Sequence, residues 1–311
     1  MITPKPLFAG ARVALLAPAS PTPQTPLADS GLPQQVQESV DVLKTYGLEP
    51  VLYPSCTLAY GYLAGSDAQR AQDVMDAFLD DSIDGIFCIR GGYGIQRMLD
   101  LLDFDRIAQH PKWFAGYSDV TALHVALNQR CGFITYHTPM PSTEIRKGLD
   151  DYTNEYLKKA MFGGLQGILP SAAAVTSLAN GSASGILCGG NLSLVSSSLG
   201  TPYEIDTKGK ILFLEDIDEA PYRIDGMLNH MRLAGKFEDC AGIIMGFYTN
   251  CVPKKPGDGL TLEQVFNDLL PKDKPVLLNY TCGHDLPTMS LPLGATATLI
   301  VRSSDYELRI D

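Results

Sequence analysis

The chain has 311 residues, 45% hydrophobic and 19% charged, with 29 glycines and 21 prolines, a composition that suits one large or two medium globular domains with ample core. Its 24 basic and 35 acidic side chains give a net charge of −11, which excludes a nucleic-acid binder relying on basic surface. The seven cysteines are scattered and form no C-x-x-C pair, so metal and redox motifs have no support and buried free thiols of a reducing compartment are expected.

The N-terminus MITPKPLFAG lacks the basic-then-apolar pattern of a signal peptide, and ARVALLAPA is too short to span a membrane. A cytoplasmic protein with no membrane association is expected. RVALLAP then reads as a strand, and PQQVQESVDVLKTYG as a helix stopped by Gly47. EPVLYP is a second strand. In SDAQRAQDVMDAFLD, Ser66 and Gln69 have capping-box spacing, and Ala71, Val74, Met75 and Phe78 share a helix face. DGIFCIR, WFAGYS and FITYH are three more strands, with the helix DVTALHVALNQ before the last. Strands separated by helices of this length imply βαβ units and a parallel sheet covered by helices.

The segment 141–184, including DDYTNEYLKKAMFGG and the small-residue stretch SAAAVTSLANGSASG, reads as a linker between an N-terminal lobe, 1–140, and a C-terminal lobe, 185–311. The second lobe offers the strand GKILFLED, the helix PYRIDGMLNHMRLAG, the strand CAGIIMG, the helix TLEQVFNDLLP and the strand KPVLLNY. The tail GATATLIVRSSDYELRI alternates around a polar turn as a hairpin does. The fold class expected is α/β, an N-terminal parallel-sheet lobe with flanking helices plus a smaller C-terminal α/β lobe.

In an open parallel sheet, ligands bind at the carboxyl ends of the strands. RGGYG (90–94), GYSD (116–119) and YHTPM (136–140) all follow strands. RGGYG lacks the G-x-G-x-x-G spacing and a P-loop lysine, so dinucleotide and triphosphate binding have no support. Ser118, between a strand and a helix, is either a helix cap or a nucleophile on a sharp turn. A nucleophile would need two oxyanion donors; the N–H of Asp119 is one candidate and that of Gly91 or Gly92 the other. The base is open between His137, which ends a strand, and His284, in the glycine- and proline-rich TCGHDLPTMSLPLG. For the carboxylate, Glu215 is the first polar residue after ILFL, whereas Asp218 and Glu219 fit the N-terminus of the next helix.

Seven motifs in order, RVALLAPASP, RGGYG, AGYSDVTAL, YHTPM, LCGGNLSLVSSSLGTPY, ILFLEDIDEAPYRID and GHDLPTMSLPLGATATL, span nearly the whole chain. Together they resemble the LD-carboxypeptidase family of serine peptidases, which includes murein tetrapeptide carboxypeptidases and microcin C7 self-immunity peptidases. The resemblance implies a catalytic triad of Ser118, Glu215 and His284 lying between the lobes, no metal and no cofactor. It also implies a homodimer that removes D-alanine from murein tetrapeptide in peptidoglycan recycling. Val120 stands where the G-x-S-x-G elbow has its second glycine, so the turn must differ from that of the α/β-hydrolases. A peptide with several carboxylates needs local cations, and Arg90 and Arg223 stand beside the motifs. Asn191 in GGN is either a substrate contact or a helix cap, and His137 is a further candidate substrate contact. The alternative reading is a microcin-immunity-type peptidase acting on aminoacyl adenylates, which would call for an aromatic platform.

Overall fold

In the computed structural model, which describes residues 1–253, 255, 257 and 259–311, the chain divides into two units, residues 1–164 with 290–292 and residues 165–289 with 293–311. The strands of the first unit are β1 (Arg12–Leu16), β2 (Glu49–Leu52), β3 (Gly85–Cys88), β4 (Trp113–Gly116) and β5 (Thr135–His137). Pairing is parallel throughout β2-β1-β3-β4-β5. Every residue of β3, β4 and β5 is buried, as expected of parallel strands covered on both faces. The helices are α1 (Gln34–Thr45), α2 (Asp67–Leu79), α3 (Phe104–Ile107), α4 (Thr121–Ala126) and α5 (Asp151–Phe162). The capping box at the start of α2 is formed as the spacing predicts: Ser66 accepts from the Gln69 N–H while Gln69 accepts from the Ser66 N–H.

The second unit is built on an eight-stranded mixed sheet. Its strands are β6 (Gly167–Ile168), β7 (Thr176–Ala179), β8 (Gly181–Asn191), β9 (Ile211–Ile217), β10 (Gly242–Thr249) and β11 (Val276–Leu278). A short strand β12 (Leu291–Leu293) follows and joins the first unit's sheet beside β5. The hairpin β13 (Thr296–Arg302) and β14 (Asp305–Ile310) closes the chain as its alternation predicts. The order in the second sheet is β6-β14-β13-β8-β9-β10-β11-β7. Its centre, β8 to β11, is parallel. The helices are α6 (Leu192–Ser197), α7 (Pro221–Leu233), α8 (Lys236–Asp239) and α9 (Leu262–Leu269). The molecule is thus α/β with two sheets.

The segment 141–184 contains α5, β6, β7 and the start of β8 and is divided between the two units. β8 carries glycines where backbones meet: a Cβ on Gly189 would lie 1.9 Å from the Phe213 carbonyl oxygen, and one on Gly185 2.3 Å from that of Gly209. Its poor apolar content reflects that close approach, because only glycine fits there. No helix among the described residues is long and apolar enough to cross a membrane.

Candidate functional site

In the first unit the loops after β1, β3 and β4 form one structure. Ser118, two residues past the end of β4, adopts φ +64°, a left-handed conformation that costs a non-glycine residue roughly 1–3 kcal/mol and clusters at functional sites. The Gly116 Cα abuts Val120: a Cβ there would lie 3.0 Å from Val120 Cγ2 and 3.0 Å from Cys88 Cβ. The valine therefore packs in the crook of the turn, and glycine is needed only at its first position. Gly91 closes on the serine, since a Cβ at Gly91 would meet Ser118 Cβ at 3.0 Å and Ser118 Oγ at 3.3 Å. At Gly92, φ is +120° and a Cβ would lie 2.3 Å from Ser20 Oγ, which accepts from the Tyr93 N–H at 3.1 Å.

The Asp119 side chain holds these loops together. It is buried, accepts from the Ile95 N–H at 3.0 Å just past the glycine turn, and its pKa is pushed up to about 6 by burial. Arg70 of α2 is fully buried and donates to Pro18 O at 2.5 Å, to Gly94 O at 2.9 Å and to Asp67. One guanidinium thus laces the β1 loop to the β3 loop. His124, in α4, is fully buried between Gly116 O and Thr135 Oγ1, at 2.8 Å from each. A carbonyl only accepts, so Nε2 carries the proton and Nδ1 accepts from the threonine hydroxyl. Burial lowers the His124 pKa to about 4, so the ring is neutral at pH 7 and positions the end of β4.

In the second unit, His284 Nδ1 lies 2.7 Å from Glu215 Oε2, with Glu215 completely buried and the histidine side chain 11% exposed. Glu215 ends the apolar run of β9. Room for the carboxylate comes from two glycines: a Cβ at Gly246 would lie 2.3 Å from Cys282 O and 3.2 Å from Glu215 Cβ, and one at Gly283 3.2 Å from Glu215 Oε2. The loop that presents His284 is closed on itself, because Thr288 Oγ1 accepts from the Gly283 N–H and donates to Gly283 O. Phe247 N–H anchors it to β10 by donating to Cys282 O at 2.8 Å. A carboxylate on Nδ1 fixes the tautomer that leaves Nε2 as a base.

The other sequence candidates are placed as follows. His137 is buried in β5 with its ring 5.3 Å from that of Tyr117. Asn191 caps α6 by accepting from the Leu194 N–H and donates to Asp216 Oδ1 at 3.1 Å. Asp216 turns away from Glu215's partner to hold the N-terminus of α6, accepting from Ser193 N–H and Oγ. Arg223 is exposed and paired with Glu219 at 2.7 Å. Arg90 is half-buried and donates from Nη1 to Pro21 O at 3.0 Å. Sequence reasoning passed over Arg70 and the Asp119 carboxylate, and read His124 as a packed or surface residue; it is packed. A signal existed for Arg70, which falls among the buried positions of α2 beside Ala71 and Val74.

Comparison with known proteins adds to this geometry. Residues 13–138 match the model of the LD-carboxypeptidase N-terminal domain, and residues 184–299 that of the LD-carboxypeptidase C-terminal domain. The chain is 41% identical over 304 residues to a probable murein peptide carboxypeptidase of Bacillus subtilis, covering 95% of this chain and 91% of that one. It is 28% identical over 263 residues to the microcin C7 self-immunity protein of Escherichia coli, covering 75% and 76%. A crystal structure of muramoyltetrapeptide carboxypeptidase from Oxalobacter formigenes superimposes with a TM-score of 0.80 at 27% identity, covering 96% and 98%.

Proposed function

The chain belongs to the LD-carboxypeptidase family, and from that premise we propose that it is a serine carboxypeptidase hydrolysing the L,D-peptide bond of murein tetrapeptide. The product is the terminal D-alanine, and the role is cytoplasmic peptidoglycan recycling by a homodimer. The observation that carries this reading is the fully buried Glu215 holding His284 Nδ1 at 2.7 Å. A carboxylate taken wholly out of water for one imidazole is costly unless that imidazole must be oriented and charged in turn. The strained Ser118 turn is the second support.

In this reading Ser118 Oγ attacks the scissile carbonyl, and its proton passes to His284 Nε2. Glu215 stabilises the imidazolium formed. The oxyanion accepts hydrogen bonds from the Asp119 N–H and from that of Gly92 or Gly91. His284 then gives the proton to the leaving amine, and a water, deprotonated by the same nitrogen, releases the acyl group and regenerates the serine. Each oxyanion donor contributes roughly a hundredfold or more in rate. Asn191 and His137 are proposed substrate contacts, whereas Arg223 is held by Glu219.

The test is D-alanine release from murein tetrapeptide by wild type, Ser118→Ala and His284→Ala, each variant losing up to about a millionfold. Release that survives Ser118→Ala would overturn the nucleophile. A second reading, cleavage of aminoacyl-adenylate-like substrates, draws on an aromatic pair beside the glycine turn. Tyr62 and Tyr93 are 63% and 53% exposed and meet edge-on at 5.5 Å, whereas Trp113 is wholly buried. Turnover of an aminoacyl sulfamoyl adenosine with no release of D-alanine from the tetrapeptide would favour it.

A further inference from the structure

Three arginines of the chain are withdrawn from solvent in whole or in part, Arg70, Arg90 and Arg146. Arg70 is paired with Asp67 and Arg146 with Glu38. Arg90 has no carboxylate within ion-pair distance among the described residues, although the chain carries 35 acidic side chains against 24 basic ones. Its Nη1 donates to Pro21 O, its Nε is buried without a hydrogen-bond partner, and Nη2 donates to no described residue. A guanidinium drawn from water and left without a counter-charge is unfavourable, and burial lowers its pKa. In a protein with an excess of carboxylates, the missing partner is a matter of placement, not supply.

The position is specific. Arg90 directly follows the buried strand run ending in Ile89 and precedes Gly91, whose Cα faces Ser118 Oγ. Arg223, the other cation beside the motifs, is already committed to Glu219 in water. We propose that Arg90 is the counter-ion for the α-carboxylate of the substrate's C-terminal residue, the group that distinguishes a carboxypeptidase substrate from an internal peptide. This rests on the serine carboxypeptidase reading above. The carboxylate would complete the pairing that the protein leaves open, through the planar fork that suits arginine better than lysine.

The experiment compares two substrates of identical acyl part, the tetrapeptide with a free C-terminal carboxylate and the same peptide as its C-terminal amide, by following the shared tripeptide product. Wild type should prefer the acid. Arg90→Ala should lower kcat/KM for the acid by about 30- to 5000-fold, the range for truncating one partner of a hydrogen-bonded charge pair, and change the amide by less than about threefold. Arg90→Lys should lose part of the acid rate and none of the amide rate. Labelling of Ser118 by an uncharged phosphonate, unchanged in rate, certifies an intact turn. If Arg90→Ala does not label, the lysine variant carries the comparison.

Equal losses on acid and amide would overturn the proposal and make Arg90 a clamp on the Pro21 loop. Absence of an acid preference in wild type would overturn it as well. Failure of wild type to cleave either peptide would instead sink the carboxypeptidase reading on which it rests.

Discussion

Gly91→Ala tests the contact between the glycine turn and Ser118 directly. Gly91 has no positive φ, so alanine meets no backbone strain there, and elsewhere such a change stabilises by about 0.4–1 kcal/mol through the unfolded chain. Here the new methyl would sit 3.0 Å from Ser118 Cβ, 3.3 Å from Ser118 Oγ and 3.3 Å from Tyr117 O. All three contacts are tight by a few tenths of an ångström, and none of the three neighbours is the end of a long flexible side chain. Overpacking of this kind costs about 1–3 kcal/mol, so the net loss of stability should be about 1–2 kcal/mol, or a few degrees in Tm. The serine must move outward or the loop must lift, and displacements approaching 1 Å cost about a hundredfold in rate. A loss of kcat of about tenfold or more is therefore expected, with a stability change too small to account for it. Urea unfolding and the rate of phosphonate labelling of Ser118 measure the two effects separately. Wild-type labelling by a folded Gly91→Ala protein would refute the claim that this turn sets the position of the nucleophile.

Glu215→Gln should lower kcat by about 10⁴-fold while Glu219→Gln stays near wild type; the reverse in D-alanine release would move the carboxylate role to Glu219. His124 and Asp119 give opposite pH responses. The folded state excludes a proton that His124 would take up when unfolded below about 6.5, so its contribution is lost as pH falls toward 4. Asp119, raised to about 6, is penalised when ionised and relieved as pH falls toward 3.8. Between pH 7 and 5 the first loses about 2 kcal/mol and the second recovers about 1 kcal/mol. Asp119→Asn should therefore lose about 1 kcal/mol more than wild type over that interval by urea titration, and parallel losses would show that Asp119 is not raised. Ser66→Ala, which removes the cap of α2, should cost about 1 kcal/mol in the same assay; an unchanged midpoint would mean that the box adds nothing.

The regular elements of the first unit were legible because their causes are local. The apolar runs that become β1, β3 and β4 need no partner to be recognised, and Ser66 with Gln69 announces the start of α2. In the second unit, β8 was hidden: GSASGILCGG has no alternation to read, since Gly185 and Gly189 are dictated by carbonyls far along the chain. β7 and β12 are short, and β12 contains a proline, so only their neighbours define them. The pairing of Glu215 with His284 spans 69 residues, and composition alone left His284 level with His137. Arg90 was visible as a cation beside a motif. Its lack of a counter-charge was not, because that depends on where every carboxylate ends up.

The excursion of residues 290–292 into the first unit's sheet has a consequence for how the chain is made. As the polypeptide leaves the ribosome, the five parallel strands from β1 to β5 are complete by residue 137, yet their outermost neighbour, β12, is encoded more than 150 residues later. Until then β5 presents a bare strand edge, the feature most prone to pairing with a foreign chain. An N-terminal fragment ending at residue 164 would therefore expose β5 as an edge of its sheet, where the whole chain has β12.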